Sequence, residues 1–214
     1  MATGMLSGEQ KELLGLATGT YVKALDLAMP YLASRGIDRA SALTRGLGYV
    51  SEPVVGHQSF LGRLSIPYVT PSGVVNMTFR CIEDHRCKEH GHSKYMKPKG
   101  NHTTLYGVGD ILKDTLDIAV VEGEIDTIIM SEIVGFPCVG NPGATNWLPW
   151  WTDIFKDFRR VFVFEDGDEQ GEAMGDKIQN ELGMSVVRVK YPPGEDTNSM
   201  YLKVGKEAIR EMIK

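Results

Sequence analysis

The feature that most constrains this chain is the alternation in its second half. Four short apolar runs, Asp117–Val121, Phe136–Val139, Val161–Phe164 and Val186–Val189, are separated by stretches with helical spacing. The stretches are Ile125–Val134, Leu148–Phe158, Gln170–Leu182 and Ser199–Lys214. Strands separated by helices cannot pair as tight hairpins. They predict a mainly parallel sheet covered by helices on both faces. In such a sheet ligands bind at the carboxyl ends of the strands, so the residues just after each run are the ones to inspect.

The first half has a different texture. Leu13, Leu14, Ala17, Tyr21, Ala24, Leu25 and Ala28 recur at helix-like intervals, and the whole of Ser7–Leu47 reads as helical. Pro30 is placed to bend or restart that helix, and Asp38 to cap a short one ending near Gly46. Leu64–Val69 and Val74–Arg80 are strand-like, and Thr70-Pro71-Ser72-Gly73 between them is a turn, which predicts a hairpin. Glu83–Thr104 is polar, rich in His and Lys, and without periodicity. The expected fold class is therefore α/β: a smaller α+β subdomain over residues 1–112, then a parallel-sheet domain over 113–214.

Charge limits the function. With 23 basic and 28 acidic residues, the net charge of -5 argues against a tight passive binder of duplex DNA. It does not argue against an enzyme on DNA, since catalytic carboxylates themselves lower the total. No apolar run reaches the roughly 18 residues a membrane span needs. The N-terminus lacks a basic start and a long apolar stretch, so no secretory signal is expected. With three cysteines, an odd count, the expectation is a reducing, cytoplasmic setting without a disulfide framework.

Two strand ends are acidic. Glu122-Gly123-Glu124-Ile125-Asp126 follows the first run, and Glu165-Asp166-Gly167-Asp168 the third. Asp166 and Asp168 are two apart in extended chain and face one side, with Gly167 letting the backbone bend. Gathered carboxylates repel unless a hard cation cancels them, and Mg2+ commonly takes a few carboxylates plus substrate phosphates. The competing explanation, solvated acids favoured by helix N-termini, accounts less well for two such clusters on one sheet edge.

These residues carry a family resemblance. Val120-Val-Glu-Gly-Glu-Ile-Asp126 resembles the first motif of TOPRIM domains, and Phe164-Glu-Asp-Gly-Asp-Glu-Gln-Gly171 resembles the second, whose last glycine lets the next helix pack. Gly140-Asn-Pro-Gly-Ala144 resembles the glycine-bearing loop between them. In the first half, Tyr31–Asp38, the hairpin Leu64–Tyr68 with Gly73–Arg80, and Lys94-Tyr95-Met96 with Leu105-Tyr106-Gly107 are similar to the catalytic core of bacterial-type DNA primases. Pro193-Gly-Glu-Asp-Thr-Asn198 resembles a primase segment with acids at its end. Thr197 and Asn198 depart from that pattern, which leaves Asp196 as the candidate there. The chain thus resembles a small phage-type primase core without the zinc ribbon or a fused helicase.

The resemblance implies RNA-primer synthesis on single-stranded DNA from ribonucleoside triphosphates, with Mg2+ or Mn2+ as cofactor and a replicative helicase or another template-binding protein as partner. It implies Glu122, Asp166 and Asp168 as principal catalytic and metal-binding carboxylates, with Asp126 and Asp196 as further contributors. Arg80, Lys94, Lys97 and Lys99 are the basic residues expected to meet nucleotide or template phosphates. Two other readings remain open. One is a TOPRIM nuclease that activates water with the same carboxylates. The other is a non-catalytic, recombination-mediator-like DNA-binding module.

Cys81, His85, Cys87, His90 and His92 lie within twelve positions. Sulfur and imidazole together are the usual zinc ligands, and four of the five suffice for a tetrahedral site. A cationic loop facing phosphates is the rival explanation. Cys138, apart in a strand, is expected to be buried.

Overall fold

Ser7 opens the first helix, α1 (Gly8–Val22), through a capping box: its hydroxyl accepts from Gln10 N, and the Gln10 side chain accepts from Ser7 N. The computed structural model describes residues 6–98, 102–143 and 146–214. The expected helical stretch is broken into three. After a 3-10 turn at Leu25–Ala28, α2 (Met29–Ser34) starts with Pro30 in its first turn, where no amide donor is needed. Asp38 then caps α3 (Arg39–Thr44), its Oδ1 accepting from Ser41 N at 2.8 Å.

The strands of the first half form an antiparallel sheet in the order β1 (Gly48–Tyr49), β2 (Arg63–Thr70), β3 (Gly73–Cys81), β4 (Tyr95–Met96). The β2–β3 hairpin closes on the expected turn, with Thr70 paired to Gly73. Ala17 and Tyr21 of α1 pack against Met77 and Phe79 of β3, and Phe60 stacks on Phe79 at 3.9 Å between centroids. Gly48 is where α1 comes closest to the sheet, since any Cβ there would strike the Tyr21 backbone.

In the second half a parallel sheet runs in the order β6 (Cys138–Asn141), β5 (Asp117–Glu122), β7 (Arg160–Glu165), β8 (Val186–Lys190). Ile118 and Val120 join Val161, Val163, Trp147, Trp151, Phe155, Met174 and Ile178 in one cluster, while the intervening Ala119 and Val121 are fully buried as well. Both faces of β5 are thus covered, which is why its residues read as a continuous apolar run rather than an alternating one.

Helices α4 (Glu124–Ile128), α5 (Thr152–Phe155), α6 (Glu169–Leu182) and α7 (Thr197–Glu211) alternate with these strands. Several details differ from the sequence expectation, among them the Leu148–Phe158 stretch, which is a 3-10 turn at Pro149–Trp151 followed by the short α5. The helix after β5 passes into a π-helical turn at Ile129–Val134. The run at Phe136–Val139 pairs only from Cys138, because Pro137 has no amide to donate and contributes its carbonyl to Ala119 N instead. Gly205, at φ 77°, breaks the closing helix.

The chain divides into two compact units, Met1–His102 and Thr103–Lys214. Among the described residues no helix is long and apolar enough to cross a membrane.

Candidate functional site

Strand polarity places the acidic residues on one edge of the parallel sheet. Glu122 is the last residue of β5, and Asp166 follows the last residue of β7. Asp168 caps α6, its Oδ1 accepting from Gln170 N at 2.9 Å and Gly171 N at 2.8 Å. Asp196 caps α7 through Ser199 N, and the Asp126 carboxylate accepts from Asn198 N at 2.8 Å, holding the start of α7 against α4. Three of the five acids therefore have a backbone duty as well as a charge.

Asp166 is where these charges converge. Burial pushes its carboxyl up to about 8, and the charges of Asp126, Glu122, Asp196 and Asp168 push in the same direction. Its Oδ1 is buried and accepts no hydrogen bond among the described residues. A desolvated oxygen ringed by four further carboxylates is a strained arrangement for the protein alone and a suitable one around a hard divalent cation.

Glycines let the elements come this close. A Cβ on Gly167 would strike the carbonyl of Pro192, one on Gly171 the backbone of Asp166, and one on Gly140 the Gly123 carbonyl and the Thr127 hydroxyl. The chain bends at Gly167, as the sequence suggested, without a left-handed φ, and the missing side chain there also permits the close approach to Pro192. Gly123 does need its left-handed φ of 91°, which turns the chain from β5 into α4. Gly140 and Asn141 end β6, and in the loop after it Pro142 and Gly143 are described, with Gly143 at φ 105°. Ala144 and Thr145 lie outside the described residues.

Glu165 and Asp166 are adjacent yet have opposite fates, because alternate residues of an extended chain face opposite ways. Glu165 is 2% exposed and is held by Arg188, whose Nη2 donates to Oε2 at 3.0 Å and whose Nε donates to Oε1. It is neutralised by that pair and takes no part in the carboxylate cluster. Arg188 was not anticipated; a lone basic residue within an apolar strand run was its only signal.

The expected basic residues belong to the first unit. Arg80 is 6% exposed, its guanidinium 4.8 Å from the Tyr95 ring centroid and 5.4 Å from that of Tyr31. It is a stacked, buried cation rather than a freely solvated one. Lys94 and Lys97 are exposed beside β4. Lys99 lies outside the described residues. Tyr106 is buried and bridged to Gly140 through two backbone hydrogen bonds.

The structure brings together Cys81 at the end of β3 and His85, Cys87 and His92 of the β3–β4 connection, with one ligand atom from each within 4.8 Å of the others. His90 stands outside that group, its ring stacked on His85 at 4.2 Å. Arg63 of β2, which sequence reasoning missed, reaches into the same loop: its Nη1 donates to the carbonyls of Ser93 at 3.0 Å and Lys94 at 3.3 Å.

No family model matches the chain. It is 35% identical to the gene 57 protein of Mycobacterium phage D29, over 72% of this chain and 99% of that protein. It is 24% identical to the DNA primase of Clostridium acetobutylicum over 86% of this chain, and spans 32% of that longer protein. The RNA polymerase domain of Mycobacterium tuberculosis primase DnaG, solved with a double-stranded DNA oligomer bearing a 6-nucleotide overhang, superposes with a TM-score of 0.77. That match covers 98% of this chain and 81% of the other at 21% identity.

The chain belongs to the phage and bacterial DNA primase family.

Within a primase core, the antiparallel sheet of the first unit and the parallel sheet of the second are the two parts the fold match spans, from end to end of the described chain. The acidic edge of the parallel sheet is the primase core's candidate catalytic centre. The Cys/His group of the antiparallel sheet is a separate constellation with different donors.

Proposed function

We propose that this chain synthesises RNA primers on a single-stranded DNA template. The observation that carries the reading is the convergence of Glu122, Asp126, Asp168 and Asp196 on the buried Asp166 at the carboxyl edge of a parallel sheet, within a primase fold. Primer extension is phosphoryl transfer: a 3′-hydroxyl attacks the α-phosphate of an incoming ribonucleotide and pyrophosphate leaves.

The donor set fits Mg2+ or Mn2+, all oxygen and strongly anionic, with one buried oxygen that accepts no hydrogen bond among the described residues. When bound, such ions would neutralise phosphate charge and lower the barrier to attack. Glu122, Asp166 and Asp168 are the residues that would hold them. Asp168 offers its second oxygen, the first being engaged by the α6 amides. Asp126 positions the start of α7 and so the cap residue Asp196 beside the cluster. Arg80, Lys94, Lys97 and Lys99 are proposed to meet nucleotide or template phosphates, Arg80 with its guanidinium plane already oriented by two tyrosines.

A DNA template is supported by the primase domain solved with DNA, and a cytoplasmic setting by the phage relative. Ribonucleoside triphosphates, and a replicative helicase that delivers template, complete the proposal. Zinc has no step in this chemistry; its donors are the sulfur and imidazole of the other unit.

The test is incubation with single-stranded DNA, Mg2+ or Mn2+ and labelled ribonucleotides. Labelled products that lengthen with time are expected. Shortened DNA without ribonucleotide incorporation would replace this reading with the TOPRIM nuclease, and binding without either product would favour the mediator-like module.

A further inference from the structure

The connection from β3 to β4, Ile82–Lys94, holds its shape with almost nothing apolar to bury. Ile82 is its one aliphatic residue, and most of the others are exposed. Its backbone is a run of turns: His85 N donates to Glu83 O, Glu89 N to Arg86 O, and both His90 N and His92 N to Cys87 O. A segment of that kind does not recover the entropy of ordering from a core. Something else has to hold it.

At its centre lie four donors. Cys81 Sγ is 3.7 Å from His85 Nε2, His85 Nε2 is 2.9 Å from His92 Nε2, and Cys87 completes a group spanning no more than 4.8 Å. Zinc bonds of about 2.3 Å to sulfur and about 2.0–2.1 Å to nitrogen give tetrahedral edges of about 3.3–3.8 Å, so the group closes on one ion with shifts of about an ångström or less. The rings are also set for ligation. His92 Nδ1 is 3.2 Å from both the Ser93 carbonyl and Arg63 Nη2, so its other nitrogen, Nε2, is the one that faces His85 and the rest of the group.

We propose that Cys81, His85, Cys87 and His92 bind one structural zinc ion that clips the β3–β4 connection. Two thiolates cancel the charge of the ion, and the Arg63 guanidinium, which holds the Ser93 and Lys94 carbonyls, closes the surrounding shell. On binding, each thiol gives up its proton. With four protein ligands no coordination position is left open, so the ion is structural rather than catalytic. His90 is excluded from the ligand set. The ion fixes the register of the two-residue edge strand β4 on β3, where Arg80 pairs with Tyr95 and Cys81 N donates to Lys94 O. The proposed phosphate-contacting Lys94 and Lys97 therefore depend on it for their placement. The metal proposal does not rest on the primase reading: it is read by metal content, whereas primer extension reads the acidic edge.

The test uses the full chain purified without chelator or immobilised nickel. About one zinc per chain is expected, falling to less than about 0.2 in Cys87→Ser and in His92→Ala, and remaining near one in His90→Ala. His92→Cys, which recreates a Cys3His set, should keep the ion, and this keeps the test decisive if His92→Ala fails to fold. Cobalt substitution should give the ligand-field and sulfur charge-transfer bands of a tetrahedral site with two thiolates. Removing the metal should open Arg86 and Lys88 to trypsin. A folded wild-type chain with negligible zinc, zinc content unchanged in Cys87→Ser, or isolation with a Cys81–Cys87 disulfide would each overturn the proposal.

Discussion

Asp166 and Asp168 are separated by one residue and do different work. Asp166 is buried among like charges, while Asp168 divides its carboxylate between two helix amides and the acidic edge. In both, replacement by Asn removes one charge from the proposed metal site, and we expect a loss of primer extension of about 100-fold or more at limiting Mg2+. The stability responses should part. In chelator, Asp166→Asn relieves repulsion and should leave the melting temperature unchanged or raised. Asp168→Ala forfeits a helix cap and should cost about 1 kcal/mol, which Asp168→Asn largely avoids. Thermal melts of the three variants with and without Mg2+ check this. Full extension activity in both Asn variants would sink the ligand assignment.

At the scale of elements, the parallel sheet is pinned at the end opposite its acidic edge. Asp117 opens β5 and accepts from Arg159 Nη2 at 2.8 Å and Arg160 Nη2 at 2.6 Å, at the entry to the neighbouring β7. Hydrogen bonds from the two arginines hold its carboxyl down at about 2. A depressed carboxylate pKa means that the unfolded chain binds protons first as pH falls. The stabilisation is therefore complete above about pH 4 and is lost as the pH falls towards about 2. Asp117→Asn should accordingly destabilise the protein at neutral pH, and the deficit relative to wild type should shrink between about pH 4 and pH 2. Denaturant midpoints of the two proteins across that range give the answer; a deficit independent of pH would assign the effect to packing.

For the whole molecule, the balance of charge governs how it meets DNA. The chain carries a net charge of -5 and the proposed catalytic edge is acidic, so template contact is expected from a handful of clustered cations, Lys94 and Lys97 among them. Each phosphate contact on a single strand contributes about 0.7 to the slope of log affinity against log salt. Lys94→Ala with Lys97→Ala should lower that slope by about 1.4, leaving zinc content unchanged. Priming by the isolated chain should be slow, and faster when a helicase or other tether raises the local template concentration. Titration of labelled single-stranded DNA at several salt concentrations measures this. Nanomolar binding that ignores salt would contradict it.

How much of this was legible follows from which interactions are local. Alternating apolar runs and helix periods are written into neighbouring residues, so the sequence determined the α/β class, the hairpin, the cap at Asp38, and the acidic strand ends. The family resemblance extended that to the primase core. Segments governed by a single backbone-breaking residue were less well bounded, as Pro137 and Gly205 show. Only the tertiary structure separated Glu165, matched to Arg188, from Asp166, ringed by carboxylates, because the partners lie on different elements. The same holds for the Cys/His segment. Five candidate donors stood in twelve positions, and chain folding selected four by bringing their ligand atoms together while His90 stacked outside. Spacing along a chain limits which donors can meet. The turns between them and the anchor at Arg63, distant in sequence, decide which ones do.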